Sequence, residues 1–155
     1  MASRVKASLL WPAAPALAIP GLDIRGAGFQ IPRMALTPST MLALGTPAPD
    51  FNLPNIDGKH VALADFKASP ALVVMFICNH CPYVKHLQAG IAEFAREYTA
   101  RGLAVVAINA NDTEQYPEDS PRHMAEESKK AGYVFPYLFD ATQQVAHCYT
   151  PNTAQ

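Results

Sequence analysis

From Gly45 onward the chain alternates short apolar runs of strand length with longer stretches in which apolar residues return every three or four positions. Phe51–Leu53 and Val61–Leu63 are short extended pieces on either side of Asp57-Gly58, a turn-forming pair, so a small opening hairpin is predicted. Ala71–Ile77 reads ALVVMFI, a continuous apolar run that predicts a central strand covered on both faces. Val84, Leu87, Ile91, Phe94 and Tyr98 then recur at helical spacing with Lys85, Glu93, Arg96 and Glu97 between them, and Gly102 is placed to end that helix. Gly90 weakens it by about 1 kcal/mol relative to alanine. Leu103–Ile108 (LAVVAI) predicts a second buried strand, which makes strand, helix and strand a right-handed crossover with parallel strands. Ser120-Pro121 opens a further helix that runs to Ala131 and stops at Gly132, and Tyr137–Phe139 forms a third, short strand. Asp140 caps a last helix, with Gln143 answering three residues on.

The 155 residues are enough for one domain. Twelve Lys+Arg against thirteen Asp+Glu give a net charge of -1, without the basic stripe that nucleic-acid binding requires. No apolar run approaches the ~20 residues that span a bilayer. Residues 1–40 differ from the rest: five prolines punctuate an Ala/Leu-rich stretch with no acidic residue before Asp23. This extension has the marks of a signal or transit segment, broken by Pro12 and Pro15, or of upstream sequence before a true start at Met34 or Met41. The expected compartment is the cytoplasm, or an exported or organellar one if residues 1–33 are a targeting segment.

Three cysteines are too few for a disulfide-stapled secreted scaffold, but Cys78 and Cys81 form a C-x-x-C. The pair follows the ALVVMFI strand directly and opens the amphipathic helix, where unpaired N–H groups and the helix dipole favour a thiolate. Two intervening residues allow a mixed disulfide on Cys78 to be resolved by Cys81. Pro82 sits at the favoured first helical position if Cys81 is the N-cap, or at the fourth if Cys78 is; the reading preferred here is an irregular first turn. A protonated His80 between the thiols stabilises the thiolate and makes the couple more oxidising, while Asn79 offers only hydrogen bonds.

Other readings of these residues are weaker. A zinc site needs four preorganised ligands, and a second cysteine pair is missing; His80, His86, His147 and Cys148 are the only nearby candidates. Neither a metal nor an organic cofactor is expected. Cys148 reads as a half-buried small hydrophobe and His86 as a surface residue, while His60, His123 and His147 lie in polar contexts and carry no assigned role. Asn109, Asn111, Asp112, Glu114, Glu118 and Asp119 lack the regular oxygen spacing of a calcium loop, and Pro117 interrupts them, so they read as a solvated loop.

Gly45-x-x-Ala48-Pro49-x-Phe51-x-Leu53, followed by Gly58, Leu63 and Phe66, resembles the opening hairpin of the thioredoxin-like AhpC/TSA (redoxin) superfamily. MFICNHCPYVKH, VVAINANDTEQYPEDSP and FPYLFD are similar to its thiol-disulfide oxidoreductase branch, over about Pro38 to Tyr149. The resemblance implies an α/β, thioredoxin-like fold with an N-terminal hairpin. It also implies reversible exchange with protein or small-molecule thiols and disulfides, with Cys78 attacking, Cys81 resolving, and an electron donor the sequence does not identify.

Two departures bear on this. The peroxidase branch places a threonine three residues before its attacking cysteine; here Met75 precedes Cys78 and Cys78 precedes Cys81, so a thiol peroxidase is the weaker alternative. The fold resembled also continues through a cis-proline loop, a two-stranded hairpin and a helix, which need about 35 to 50 residues. Only Thr150–Gln155 follow, so residues 41–155 are expected to be an incomplete, C-terminally truncated domain, with Pro151 matching the loop proline. A third alternative is therefore a non-catalytic fragment that binds a metal or a partner.

Overall fold

In the computed structural model, residues 42–149 are described. The N-terminal extension expected over residues 1–40 and the loop proline Pro151 lie outside them.

The opening hairpin is present, shifted by one residue at each strand: β1 (Asn52–Pro54) pairs antiparallel with β2 (His60–Ala62). The turn closes on Asp57-Gly58. Asp57 Oδ1 accepts the Lys59 N–H and the Asn55 side-chain amide, and Gly58 takes φ +81°, a conformation that favours glycine. A 3-10 turn at Leu63–Phe66 leads to β3 (Leu72–Phe76).

The crossover follows as predicted: β3, α1 (Pro82–Ala100), then β4 (Ala104–Asn109), parallel to β3 with Leu72 opposite Ala104. A short 3-10 turn, Pro117–Asp119, precedes α2 (Pro121–Ala131), and β5 (Tyr137–Phe139) pairs parallel with β4. A six-residue α3 (Gln144–Tyr149) ends the described chain. Among the described residues the sheet order is β3-β4-β5, with β4 in the middle and β3 at one edge. Both runs are equally apolar, which is why composition does not rank them. Among the described residues no strand pairs with the outer edge of β3.

β4, apolar from Ala104 to Ile108, serves two cores at once, as a strand of period 2 must when both faces are covered. Val105 and Ala107 face Ala95 of α1, Met124 of α2, Phe135 and Tyr137. Val106 and Ile108 face Phe51 and Leu53 of the hairpin and Leu138, with Val145 and Tyr149 of α3 packed against them. On α1 the buried line runs through Ala92 and Ala95, flanked by Ile91 and Phe94. Leu87 and Tyr98, expected on that face, are exposed.

Helix ends also depart from expectation in one place. Gly132 ends α2 at φ +70° as predicted. Gln143, however, does not answer Asp140 from a capping box: at φ +59° it turns its amide to the Ala110 carbonyl, 2.8 Å away. Asp140 still caps α3, accepting the Ala146 N–H at 2.9 Å.

Candidate active site

The strand-to-helix connection sets the geometry. β3 ends at Phe76, and α1 begins at Pro82 with Cys81 as its N-cap, so Pro82 occupies the first helical position. The first turn is regular rather than irregular: Lys85 donates its N–H to the Cys81 carbonyl at 3.1 Å. Proline here sacrifices only an N–H that had no helical partner. Ile77–His80 form the loop between, with Ile77 still tied to Ile108 of β4.

Asn79 is the anchor of that loop and is buried. Its backbone N–H donates to Asp119 Oδ1 at 2.5 Å, its side-chain amide to the Glu118 carbonyl at 2.8 Å, and its Oδ1 accepts the Tyr137 hydroxyl at 3.1 Å. The residue expected to offer only hydrogen bonds thus offers three, one to each neighbouring group.

Beneath the loop stands Asp119, fully buried. Its Oδ1 accepts the Asn79 N–H and the Asn109 amide (3.1 Å); its Oδ2 accepts His80 Nδ1 (2.5 Å) and the Asn111 amide (2.9 Å). Burial works against the charge, but the donors from Asn111, His80, Asn79 and Asn109 outweigh it and hold this carboxyl below the usual carboxylate range. An ionised carboxylate only accepts, so His80 must carry its proton on Nδ1. The His80 ring also lies parallel to Tyr116, 4.1 Å between centroids and 7° between planes.

Cys78 and Cys81 are both half-buried and unpaired, and Cys148 is exposed rather than half-buried. The expectation of a readily ionised Cys78 is reversed. Burial pushes its thiol up to about 11, and the Asp119 and Cys81 charges add to this, while hydrogen bonds from the Cys81 backbone and the Asn111 amide pull the other way. The helix terminus is present, but Cys81, not Cys78, caps it. Burial of the sulfur outweighs the hydrogen bonds that favour its thiolate.

Cys78, His80 and Asp119 each place a ligating atom within 4.8 Å of the others, a spacing a cation would accept. Both oxygens of Asp119 already take two hydrogen bonds each, so coordination there would displace donors rather than fill a vacancy. The donor set suits proton chemistry better than metal chemistry.

The 109–119 segment is what sequence reasoning missed, having read it as a solvated loop. It supplies Asn109, Asn111, Tyr116 and Asp119. The available signal was the polar Asn109 ending an otherwise apolar buried strand, a position that demands buried partners.

Residues 44–154 match the AhpC/TSA family. The chain belongs to that family. It is 29% identical over 110 residues to a protein named as a peroxiredoxin in Mycobacterium tuberculosis (strain CDC 1551 / Oshkosh), covering 71% of this chain and 65% of that one. It is 25% identical over 122 residues to the thiol-disulfide oxidoreductase ResA of Geobacillus thermodenitrificans, covering 79% and 66%. The chain therefore spans about two thirds of the length of the curated relatives it matches. Among solved structures, a conserved protein of Geobacillus kaustophilus is 52% identical, with TM-score 0.71, covering 73% of this chain and 60% of that one. A structure named as a thioredoxin from Neisseria meningitidis, 24% identical with TM-score 0.56 over 69% and 67%, shares the fold. The fold is thioredoxin-like, as the motifs implied.

Proposed function

We propose that this chain catalyses thiol-disulfide exchange through Cys78 and Cys81. In this reading Cys78 attacks a substrate disulfide, forming a mixed disulfide and releasing one thiol; Cys81 then attacks the Cys78 sulfur, releasing the second thiol and leaving Cys78-Cys81 oxidised. The observation that carries it is the pair's placement: Cys81 caps α1, and its backbone N–H reaches the Cys78 sulfur across one turn. Asn79, His80 and Pro82 hold that turn, and substrates are protein or small-molecule disulfides. For location we favour the cytoplasm, which intact mass of the native protein tests through cleavage of residues 1–33.

Incubating the Cys81→Ser, Cys148→Ser variant with a peptide disulfide should trap a mixed disulfide on Cys78, while the Cys78→Ser, Cys148→Ser variant should trap none. Equal trapping by both variants would refute the assignment of roles. The relative named as a peroxiredoxin favours a second reading, thiol peroxidase activity. Neither cysteine has the threonine of that branch's motif, so hydrogen peroxide should oxidise Cys78 no faster than an ordinary thiol; a much faster reaction would replace exchange with peroxide reduction.

A further inference from the structure

Groups outside the C-x-x-C tie the imidazole into a cluster that includes the Cys78 sulfur. The Asn111 amide donates to Asp119 Oδ2 at 2.9 Å, stands 3.4 Å from His80 Nδ1, and favours the Cys78 thiolate. The other hydrogen bond to Oδ2 comes from His80 Nδ1. With Nδ1 committed as donor, the only basic position left on the ring is Nε2. Tyr116, flat against the imidazole, fixes its plane. A ring nitrogen lies within 4.8 Å of the Cys78 sulfur, a separation one bridging water spans.

We propose that Asp119 is a positioning residue that makes His80 the proton shuttle of Cys78. The proposal rests on the exchange reading above. In the attacking step the S–H bond of Cys78 breaks and its proton passes, through a bridging water, to His80 Nε2. The thiolate then forms a bond to one sulfur of the substrate disulfide, whose S–S bond breaks. The leaving thiolate takes the proton back from Nε2 and departs as a thiol. Charge is conserved throughout: the imidazolium that exists between the two transfers is held by the Asp119 carboxylate, which stays ionised. No further oxidant or reductant is required.

The groups facing this dyad are few. Cys78 and Cys81 come from its own loop, Asp119 and Tyr116 from the segment before α2, and Tyr137, whose phenol burial pushes well up, from β5. Lys85 of α1, Glu127 of α2 and Tyr133 line a narrow cleft beside Cys78.

A purely electrostatic role for Asp119 predicts the opposite result from a shuttle, which makes the test decisive. The carboxylate disfavours the Cys78 thiolate. If that were its whole effect, Asp119→Asn would make Cys78 more reactive at neutral pH. If Asp119 orients the shuttle, the same change makes Cys78 less reactive there. The measurement is the rate of reaction of Cys78 with a small aromatic disulfide between pH 5 and 11, in reduced protein carrying Cys81→Ser and Cys148→Ser. The parent should show an inflection below that of the thiol itself. That inflection should vanish in both Asp119→Asn and His80→Gln. The neutral rate should fall by about 10²-fold or more, and the curves should converge as the thiol ionises unaided. His80 is partly exposed, so His80→Gln provides the readout if Asp119→Asn fails to fold. A faster neutral reaction in Asp119→Asn, or an inflection that survives loss of the imidazole, overturns the shuttle. Trapping on Cys78 would still support exchange in that case, so the two readings fail separately.

Discussion

Replacing Asp119 with alanine should destabilise the fold from a position that contributes no apolar packing. The carboxylate accepts four hydrogen bonds, and their donors differ in what they can do afterwards. His80 and Asn111 are half-buried and can turn to water, whereas the Asn79 N–H and the Asn109 amide belong to buried residues, the latter 0% exposed. Two stranded buried donors cost about 1–3 kcal/mol each, and sparing the desolvation of a buried carboxylate returns part of that, which leaves a net loss of about 3 kcal/mol. Against a typical total of about 5–15 kcal/mol this is large. The assay is urea unfolding at pH 7. With an unchanged slope of about 1–3 kcal/mol per molar, the midpoint should fall by about 1–3 M. The pH dependence has a definite sign. A carboxyl held below its ordinary value contributes stability that is present above the unfolded-state pKa and lost as pH falls through the folded value. The gap between wild type and variant should hold steady from pH 7 to about 5 and narrow below about 4. A variant within about 0.5 kcal/mol of wild type would mean that the network does not anchor the loop.

Two further substitutions test the frame that holds this site. Ile108→Ala, at a fully buried position of β4, should cost about 2–5 kcal/mol by urea unfolding; a loss under about 1 kcal/mol would show that the hairpin-side core is not closed around β4. Gly132→Ala, at φ +70° where an added Cβ would meet only Arg96 Nη1 at 3.6 Å, should cost about 1–2 kcal/mol from backbone strain alone; a gain in melting temperature would refute the left-handed cap.

The parts of the fold that could be read from the chain were those set by local rules. Ser120-Pro121 and Gly132 bracket α2 because proline fits a first helical position and glycine a left-handed cap. The crossover from β3 through α1 to β4 was legible because period alone separates strand from helix. What local rules do not carry is rank and reach. LVVMF and AVVAIN look alike, yet among the described residues the second is paired on both sides and the first on one, since position in a sheet is decided by pairing across the fold. The candidate site divides the same way. Cys78, Cys81 and His80 announce themselves by spacing, whereas Asp119 reaches them from about 40 positions downstream. Its neighbours Glu118 and Glu114 have the same polarity and are exposed. Nothing in a string of acidic residues marks the one that turns inward.

Asn55 has a consequence for the order in which the chain assembles as it is made. Its side-chain oxygen accepts the Tyr137 N–H, and the neighbouring Ile56 N–H donates to the Tyr137 carbonyl, stitching the opening hairpin to β5 across 82 positions. At about 5–20 residues per second, synthesis takes some seconds to cover that distance. For that interval the hairpin has left the ribosome with Asn55 and Ile56 still lacking their bonds to Tyr137, while the crossover behind it can already close on local contacts. The segment translated earliest in this part of the chain is therefore among the last to dock.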